Sequence, residues 1–370
     1  MSKIRRALGL MSGTSLDGID VALVETDGAA LVRRIAARSV AYPEDFRARL
    51  RQALVDARAV TRRDERLGIL GTVEAELTER HGEVALRLMG DLALQPSALD
   101  VIGFHGQTVL HRPETGLTLQ LGDGARLSAM TGVDVIFDMR AADVAAGGQG
   151  APLVPAYHRA LASRLPQSPV ALVNVGGVAN ITFVSRDGSL VAFDTGPGNA
   201  LIDDLVKAAT GAPFDADGAI AARGTPDARV VHEFMMHPYF AKPVPKSLDR
   251  NSFPPELIHG LSFEDAVATL TAFTAEAIVR AREHLPEEPA LWIITGGGRR
   301  NKKLMSAIAA RVENAVVPAE AVGLDGDGME AEAWAYLAVR SLDGLPLTFP
   351  GTTGVGRPTT GGVLAKAGQA

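Results

Sequence analysis

Asp194 opens the segment Asp194-Thr195-Gly196-Pro197-Gly198-Asn199, in which a carboxylate at the end of an apolar run is followed by glycine turns and a predicted helix, Ala200–Thr210. A helix N-terminus favours phosphate. A carboxylate in front of one stands where a nucleophile meeting a γ-phosphate would surrender its proton to a base. The plainer alternative is an aspartate that only stabilises the turn. Asn199 is placed to cap the helix. A second segment, Gly13-Thr14-Ser15-Leu16-Asp17-Gly18-Ile19-Asp20, offers backbone amides and two hydroxyls to terminal phosphates, with Asp17 or Asp20 acting through magnesium-bound water. It joins two predicted strands, so it is no P-loop, which needs Gly-Lys-Ser/Thr entering a helix. Its plain reading is a polar hairpin turn. The third segment, Thr295-Gly296-Gly297-Gly298-Arg299, follows a strand and precedes a helix, where a turn can lie flat against a nucleobase and ribose. Taken alone, such a run is more often a flexible turn.

Other polar clusters invite weaker readings. His105, Gln107, His111 and Arg112 fall in one predicted loop after Phe104. Two histidines without a nearby carboxylate make a poor metal site, and a sugar-binding loop suits them better. Asp138, Arg140 and Asp143 precede Gly147-Gly148-Gln149-Gly150 and could bind substrate; an ion-pair cluster at a domain boundary is the alternative. Glu330 begins the last long helix, where a first-turn glutamate also suits the helix dipole. Ala333, Trp334, Leu337 and Ala338 read as core packing.

Elements that would position these groups follow from apolar patterning. Ala7–Met11, Ile19–Thr26 and Leu31–Ser39 read as three strands with an Asp27-Gly28 turn. The pattern returns in Ala171–Val175, the Gly176-Gly177 loop, Asn180–Ser185, the Asp187-Gly188 turn and Leu190–Phe193. Asp-Gly turns mark hairpins, and the interval from Asp27 to Asp187 is domain-sized, so a duplicated fold is expected. Helices are predicted over 44–57, 63–88, 153–162, 200–210, 263–284, 302–312 and 329–342, with further strands over 100–104, 133–137 and 290–294. Strands alternating with helices imply α/β layers. Only Ala241–Pro255, with Pro243, Pro245, Pro254 and Pro255, is long and irregular.

Composition narrows the classes. The chain has 370 residues, 46% apolar and 22% charged, and a formal charge of −6. That is ordinary globular chemistry, with no basic balance to suit nucleic acid. The absence of cysteine removes disulfide scaffolds, thiol nucleophiles and zinc ribbons. Glycine makes up 39 residues, in excess of the usual share of roughly 7%. Its clusters after apolar runs suit a nucleotide site. The basic start has too short an apolar run for a signal peptide, and the longest uncharged stretch, 165–185, is too polar for a membrane span. A soluble cytoplasmic protein is expected.

The ordered motifs together resemble the anhydro-N-acetylmuramic acid kinase family of the actin/Hsp70/hexokinase-fold superfamily. The resemblance rests on GLMSGTSLDGID (Gly9 to Asp20), GFHGQT (Gly103 to Thr108), DMRAADVAAGGQGAPLVP (Asp138 to Pro155) and NVGGVAN (Asn174 to Asn180). It continues through DTGPGN (Asp194 to Asn199), PKSLDRNSF (Pro245 to Phe253), TGGGRRN (Thr295 to Asn301) and Met329 to Ala338, in order over residues 9–340. It implies two duplicated ribonuclease H-like domains flanking an ATP/substrate cleft. The expected division is residues 1–132 with about 343–370, and 133–342, the last helix crossing back.

The implied reaction uses ATP, magnesium and water to convert 1,6-anhydro-N-acetylmuramic acid to its opened 6-phosphate and ADP, in cell-wall sugar recycling. By the same resemblance Asp194 is the base. Gly13–Asp20 embrace the phosphates, and Asn174, Gly176, Gly177, Gly196, Gly198, Gly296, Gly297 and Gly298 complete the ATP site. Gln107 and Arg140 touch the sugar, Glu330 lies at the substrate, and the protein is a homodimer. No nucleic-acid or membrane partner is implied. An ordinary hexose or hexosamine kinase of the same fold, or a non-catalytic sugar-binding regulator, are the rival readings.

Overall fold

The computed structural model of the chain describes residues 3–249 and 252–368. Arg250 and Asn251, within the Pro245–Phe253 motif, lie outside the described residues. The strands are β1 (Arg5–Met11), β2 (Gly18–Thr26), β3 (Val32–Ala41), β4 (Val101–Phe104), β5 (Gln107–Arg112), β6 (Leu117–Leu121), β7 (Val135–Phe137), β8 (Val170–Val175), β9 (Val178–Val184), β10 (Leu190–Pro197), β11 (Leu291–Thr295), β12 (Ala315–Pro318) and β13 (Val363–Ala365). The helices are α1 (Glu44–Asp56), α2 (Leu70–Asp91), α3 (Gly124–Thr131), α4 (Ala141–Ala145), α5 (Pro155–Ala162), α6 (Ala200–Thr210), α7 (Ala228–Met235), α8 (Phe263–Arg280), α9 (Lys302–Ala309) and α10 (Met329–Leu342). They form two units, Met1–Arg164 with Gly328–Ala370, and Leu165–Asp327.

In the first unit the sheet order is β13-β7-β4-β1-β2-β3. β1, β2 and β3 form an antiparallel meander, while β4 and β7 add in parallel on the other side of β1. From Ala7 onward β1 is buried on both faces, because helices cover both. Leu8, Leu10, Val21 and Leu23 share one core with Phe46, Leu50 and Leu77 of α1 and α2. On the other face α10 lies against β1, β2 and β4. Two strand glycines in register, Gly9 and Gly103, let it approach. A Cβ on Gly9 would sit 1.9 Å from the Ala331 carbonyl oxygen, and one on Gly103 would sit 2.0 Å from that of Trp334. Two motif glycines are therefore packing positions.

The second unit repeats the arrangement with order β10-β9-β8-β11-β12. β8, β9 and β10 are antiparallel, and β11 and β12 are parallel additions beside β8. Val173, Ile181, Phe193, Trp292 and Ile294 face Ile278 of α8 in its core. Both units thus run in the strand order 3-2-1-4-5 with an antiparallel second strand, the ribonuclease H-like arrangement that the duplicated actin/hexokinase-like fold uses. The two Asp-Gly turns are equivalent. Asp27 Oδ1 accepts from the Ala29 and Leu31 amides, Asp187 Oδ1 accepts from Ser189, and the glycines behind them take φ of +67° and +81°.

Several expectations need correction. The first unit runs on to Arg164, because β7 pairs with β4 inside its sheet. The last helix, expected to cross back, packs as a whole on that unit's sheet, so the break falls before Gly328 rather than near 343. The helix expected from Arg63 starts at Leu70, after Arg63 and Arg66 have turned to bind Asp138 and Glu74. Residues 107–112 form a strand paired with β6, not a loop. The strand carrying Asp194 continues to Pro197 through a bulge between Asp194 and Gly196. Among the described residues no helix is long and apolar enough to cross a membrane.

Candidate active site

In the second unit Thr195 is the extra residue of the bulge in β10, and Asp194, opposite Asn180, is the last regularly paired residue before it. Its backbone is tied down on both sides: the Asp194 amide donates to the Lys246 carbonyl at 2.9 Å, and the Tyr239 hydroxyl donates to the Asp194 carbonyl. Its Oδ2 accepts from the Leu248 amide at 2.8 Å. Burial pushes the carboxyl up to about 6, against the lowering effect of that amide. A carboxylate poised near neutrality is suited to take a proton in a transition state.

Around it the glycine loops divide by what stands beside them. The Gly176-Gly177 turn is laced to the next loop by Asn199 N–H to Gly176 O at 2.7 Å and Gly198 N–H to Gly177 O at 3.0 Å. A Cβ on Gly198 would lie 2.2 Å from the Gly176 oxygen, and one on Gly196 would lie 2.7 Å from Ala277 Cβ of α8. In the Gly296–Gly298 run the outer two are blocked by Asn174 and Val175, at 2.3 and 2.4 Å. Gly176, Gly177 and Gly297 meet nothing closer than 3.7 Å. Of the expected nucleotide glycines in this unit, those three present backbone to open space, while Gly196, Gly198, Gly296 and Gly298 allow the loops to pack. Gly297 lines a cavity of about 160 Å³ with Asn199, Phe214, Asp215, Arg300 and Asn301. Asn199 does not cap α6 with its side chain; its Nδ2 donates to the Val175 carbonyl instead, at 3.1 Å.

In the first unit the loop between β1 and β2 is braced from behind. Ser12 Oγ donates to Gln107 Oε1 at 2.7 Å, Gln107 Nε2 donates to the Gly13 carbonyl at 3.1 Å, and Tyr42 OH donates to Ser12 Oγ at 2.9 Å. Gln107 is fully buried. Both ends of its amide hold the loop. In front, Ser15 Oγ donates to Asp17 Oδ1 at 2.7 Å and Ser39 Oγ donates to Asp20. Leu16 takes φ +57° where the chain turns. Thr14 and Ser15 are exposed and Ile19 is buried, while a Cβ on Gly18 would strike the Val40 carbonyl at 2.4 Å.

Beside this loop stands Arg140. It donates to the Gly150 carbonyl at 2.9 Å, meets His105 Nε2 at 3.2 Å, and lies over the Trp334 ring at 5.3 Å. Burial lowers its guanidinium to about 10, opposed by Glu330 and Asp143. The Glu330 carboxyl is raised by burial, then by Asp20, with Arg140 working against them and Asp17 adding to them. Arg140, Glu330, Asp17 and Asp20 therefore share one electrostatic neighbourhood. Asp138 and Asp143 do not join it as free ligands. Asp138 pairs with Arg63 at 2.5 Å, and buried Asp143 accepts from the Gly150 amide at 2.6 Å and Thr353 Oγ1 at 2.7 Å. His111 hydrogen-bonds Thr118 at 2.9 Å.

His105, expected in a sugar-binding loop, stands against Arg140. The residues that sequence reasoning misses are Tyr239, Lys246 and Leu248 about Asp194, Trp334 about Arg140, and Phe214 at the cavity. Their signal is slight. Lys246 stands within a recognised motif in a loop of unassigned role, and Trp334 stands in a stripe that reads as core.

Comparison with known proteins matches this framework over nearly its whole length. The family model for anhydro-N-acetylmuramic acid kinase matches residues 5–367. A Rhizobium johnstonii protein named anhydro-N-acetylmuramic acid kinase is 52% identical, covering 99% of this chain and 100% of its own. A Methylobacterium nodulans protein of the same name is 50% identical, over 98% and 100%. Among solved structures, component A of (R)-2-hydroxyglutaryl-CoA dehydratase from Acidaminococcus fermentans aligns with a TM-score of 0.49 at 11% identity, over 92% and 99% of the two chains. The chain belongs to the anhydro-N-acetylmuramic acid kinase family.

Proposed function

We propose that the protein uses ATP and one water to open 1,6-anhydro-N-acetylmuramic acid and phosphorylate its O6. The single observation that carries the mechanism is the Asp194 carboxyl, pushed up to about 6 and anchored, among the described residues, through one oxygen. Asp194 takes a proton from water, whose oxygen bonds to the anomeric carbon. The bond from that carbon to O6 breaks, leaving its electron pair on O6. O6 then bonds to the γ-phosphorus as the bond to ADP breaks, and the proton leaves Asp194 for solvent. The products are N-acetylmuramic acid 6-phosphate, ADP and a proton.

Gly176, Gly177 and the cavity at Gly297 are assigned to the nucleotide, and Gly13–Asp20 to its phosphates. Arg140 and Glu330 are assigned to the sugar, and Gln107 supports them by fixing the loop. Asp17 and Asp20 fit magnesium. They crowd a third carboxylate, Glu330, yet among the described residues no three acidic or histidine side chains group tightly enough to hold a metal by themselves. Magnesium is usually held by one or two carboxylates together with substrate phosphates; when bound it would offset charge on the β- and γ-phosphates. A cytoplasmic homodimer, working in cell-wall sugar recycling, is the setting that accompanies this reading.

The test is turnover in ¹⁸O-water with ADP release coupled to detection. Label is expected on the C1 hydroxyl of the sugar and absent from the phosphate. Label in the phosphate would mean that water attacks ATP and that the coupled ring opening is wrong.

A further inference from the structure

The Pro245–Phe253 motif has no assignment in the reaction above, and its lysine is placed unusually. Lys246 is only 7% exposed. Its Nζ lies 3.4 Å from the Tyr239 carbonyl oxygen, 3.2 Å from that of Phe240 and 3.3 Å from His284 Nε2. It also sits over the Tyr239 and Phe193 rings, at 4.9 and 5.8 Å. No carboxylate is among these partners. The charged groups felt by the ammonium are Arg280, Glu283 and Lys242, and Glu283 is engaged by Arg280 at 3.2 Å. Burying an ammonium against carbonyls and rings sacrifices hydration that they must then compensate. An apolar side chain would fill the same space without that cost, so the cation must do more than fill it.

What it holds is the segment that holds Asp194. The Lys246 carbonyl accepts the Asp194 amide, and two residues later the Leu248 amide donates to Asp194 Oδ2. Tyr239, whose carbonyl Lys246 grips, itself donates through its hydroxyl to the Asp194 carbonyl. The ammonium therefore joins three pieces of chain: the turn carrying Tyr239 and Phe240, the end of the α8 region at His284, and the Lys246–Leu248 segment. Two of the three touch Asp194 directly. The other carboxylate oxygen, Oδ1, has no hydrogen bond among the described residues. We propose that Lys246 is a positioning residue for the reaction. By pinning its segment it keeps the Leu248 amide on Oδ2, so that Oδ1 is the oxygen presented to the water proton. This rests on Asp194 being the base.

The sign of the effect follows from the lost donor so long as the carboxyl stays buried by the rest of its surroundings. The Leu248 amide lowers the Asp194 carboxyl against burial, and Tyr239 is the other titratable group in contact with Asp194. If the segment is released, the carboxylate loses a donor and its pKa rises. In Lys246→Met the acid limb of the kcat/KM–pH profile is expected to move upward by roughly one pH unit. At pH 7.5 kcat is expected to fall about 10- to 100-fold, with the KM for ATP within twofold of wild type. A merely structural lysine would lower the melting temperature and leave the limb in place, and that outcome overturns the proposal.

His284→Leu keeps the cation but removes one of its anchors. It is expected to give a smaller upward shift, which a direct effect of charge on Asp194 would not produce. It also serves if Lys246→Met fails to fold, and an unmoved limb in His284→Leu then overturns the proposal. Asp194→Asn in parallel separates the two levels. If it keeps more than a tenth of wild-type turnover, the base assignment fails. If it is inactive while neither other variant moves the limb, only the positioning role fails.

Discussion

Replacing Asp194 with Asn should abolish turnover and make the folded protein more stable at neutral pH. Burial holds the carboxyl at about 6 against an ordinary value of 3.8. Between those values the folded chain binds a proton that the unfolded chain has released. Stability therefore falls as pH rises through that window and stays at its lower level above 6. Each pH unit corresponds to 1.36 kcal/mol, so the ionised form costs about 3 kcal/mol, or about 2 kcal/mol after discount for partial exposure. The amide of Asn has the same shape, can still accept from the Leu248 N–H, and never ionises. The expected result at pH 7.5 is a melting temperature higher by roughly 2–5 °C, together with a loss of at least 10²-fold in kcat. Near pH 4 the two melting temperatures should converge. Differential scanning calorimetry from pH 4 to 8 and the coupled ADP assay measure both. A variant that melts lower than wild type at pH 7.5 would refute the burial argument, and one retaining more than a tenth of the rate would refute the base.

Gly9→Ala places a methyl group 1.9 Å from the Ala331 carbonyl. It should lift α10 from its sheet at a cost of about 2–3 kcal/mol, typical of overpacking, read as a lower denaturant midpoint. Gly297→Val, by contrast, projects into the cavity beside Phe214. It should change stability by no more than about 0.5 kcal/mol, as surface substitutions do, while weakening ATP binding at least tenfold by calorimetry; unchanged affinity would remove this turn from the nucleotide site.

Much of the frame is legible in the amino-acid sequence. The meander, its Asp-Gly turn and its recurrence are local: alternating apolar residues and a side chain that bonds its own backbone declare themselves within a few positions. The helices 200–210 and 329–342 are legible to the residue, because apolar spacing and flanking glycines bound them closely. The boundary between the units is not legible. It depends on β7 pairing with β4, a contact between segments that neither stretch of sequence advertises.

The site divides in the same way. Sequence alone determines which loops carry glycine and which carry carboxylate, and hence the class of chemistry. Tertiary structure alone decides what each residue does there. Gln107 is a brace because burial encloses both ends of its amide. Gly9, Gly103 and Gly198 are packing positions because another piece of backbone passes within reach of a Cβ. Asp194 is suited to act as a base because the surrounding chain removes it from water while Leu248 supplies one amide. Burial and long-range hydrogen bonds depend on which distant segments meet. A carboxylate's proton affinity is therefore a property of the folded neighbourhood, absent from the six residues that announce it.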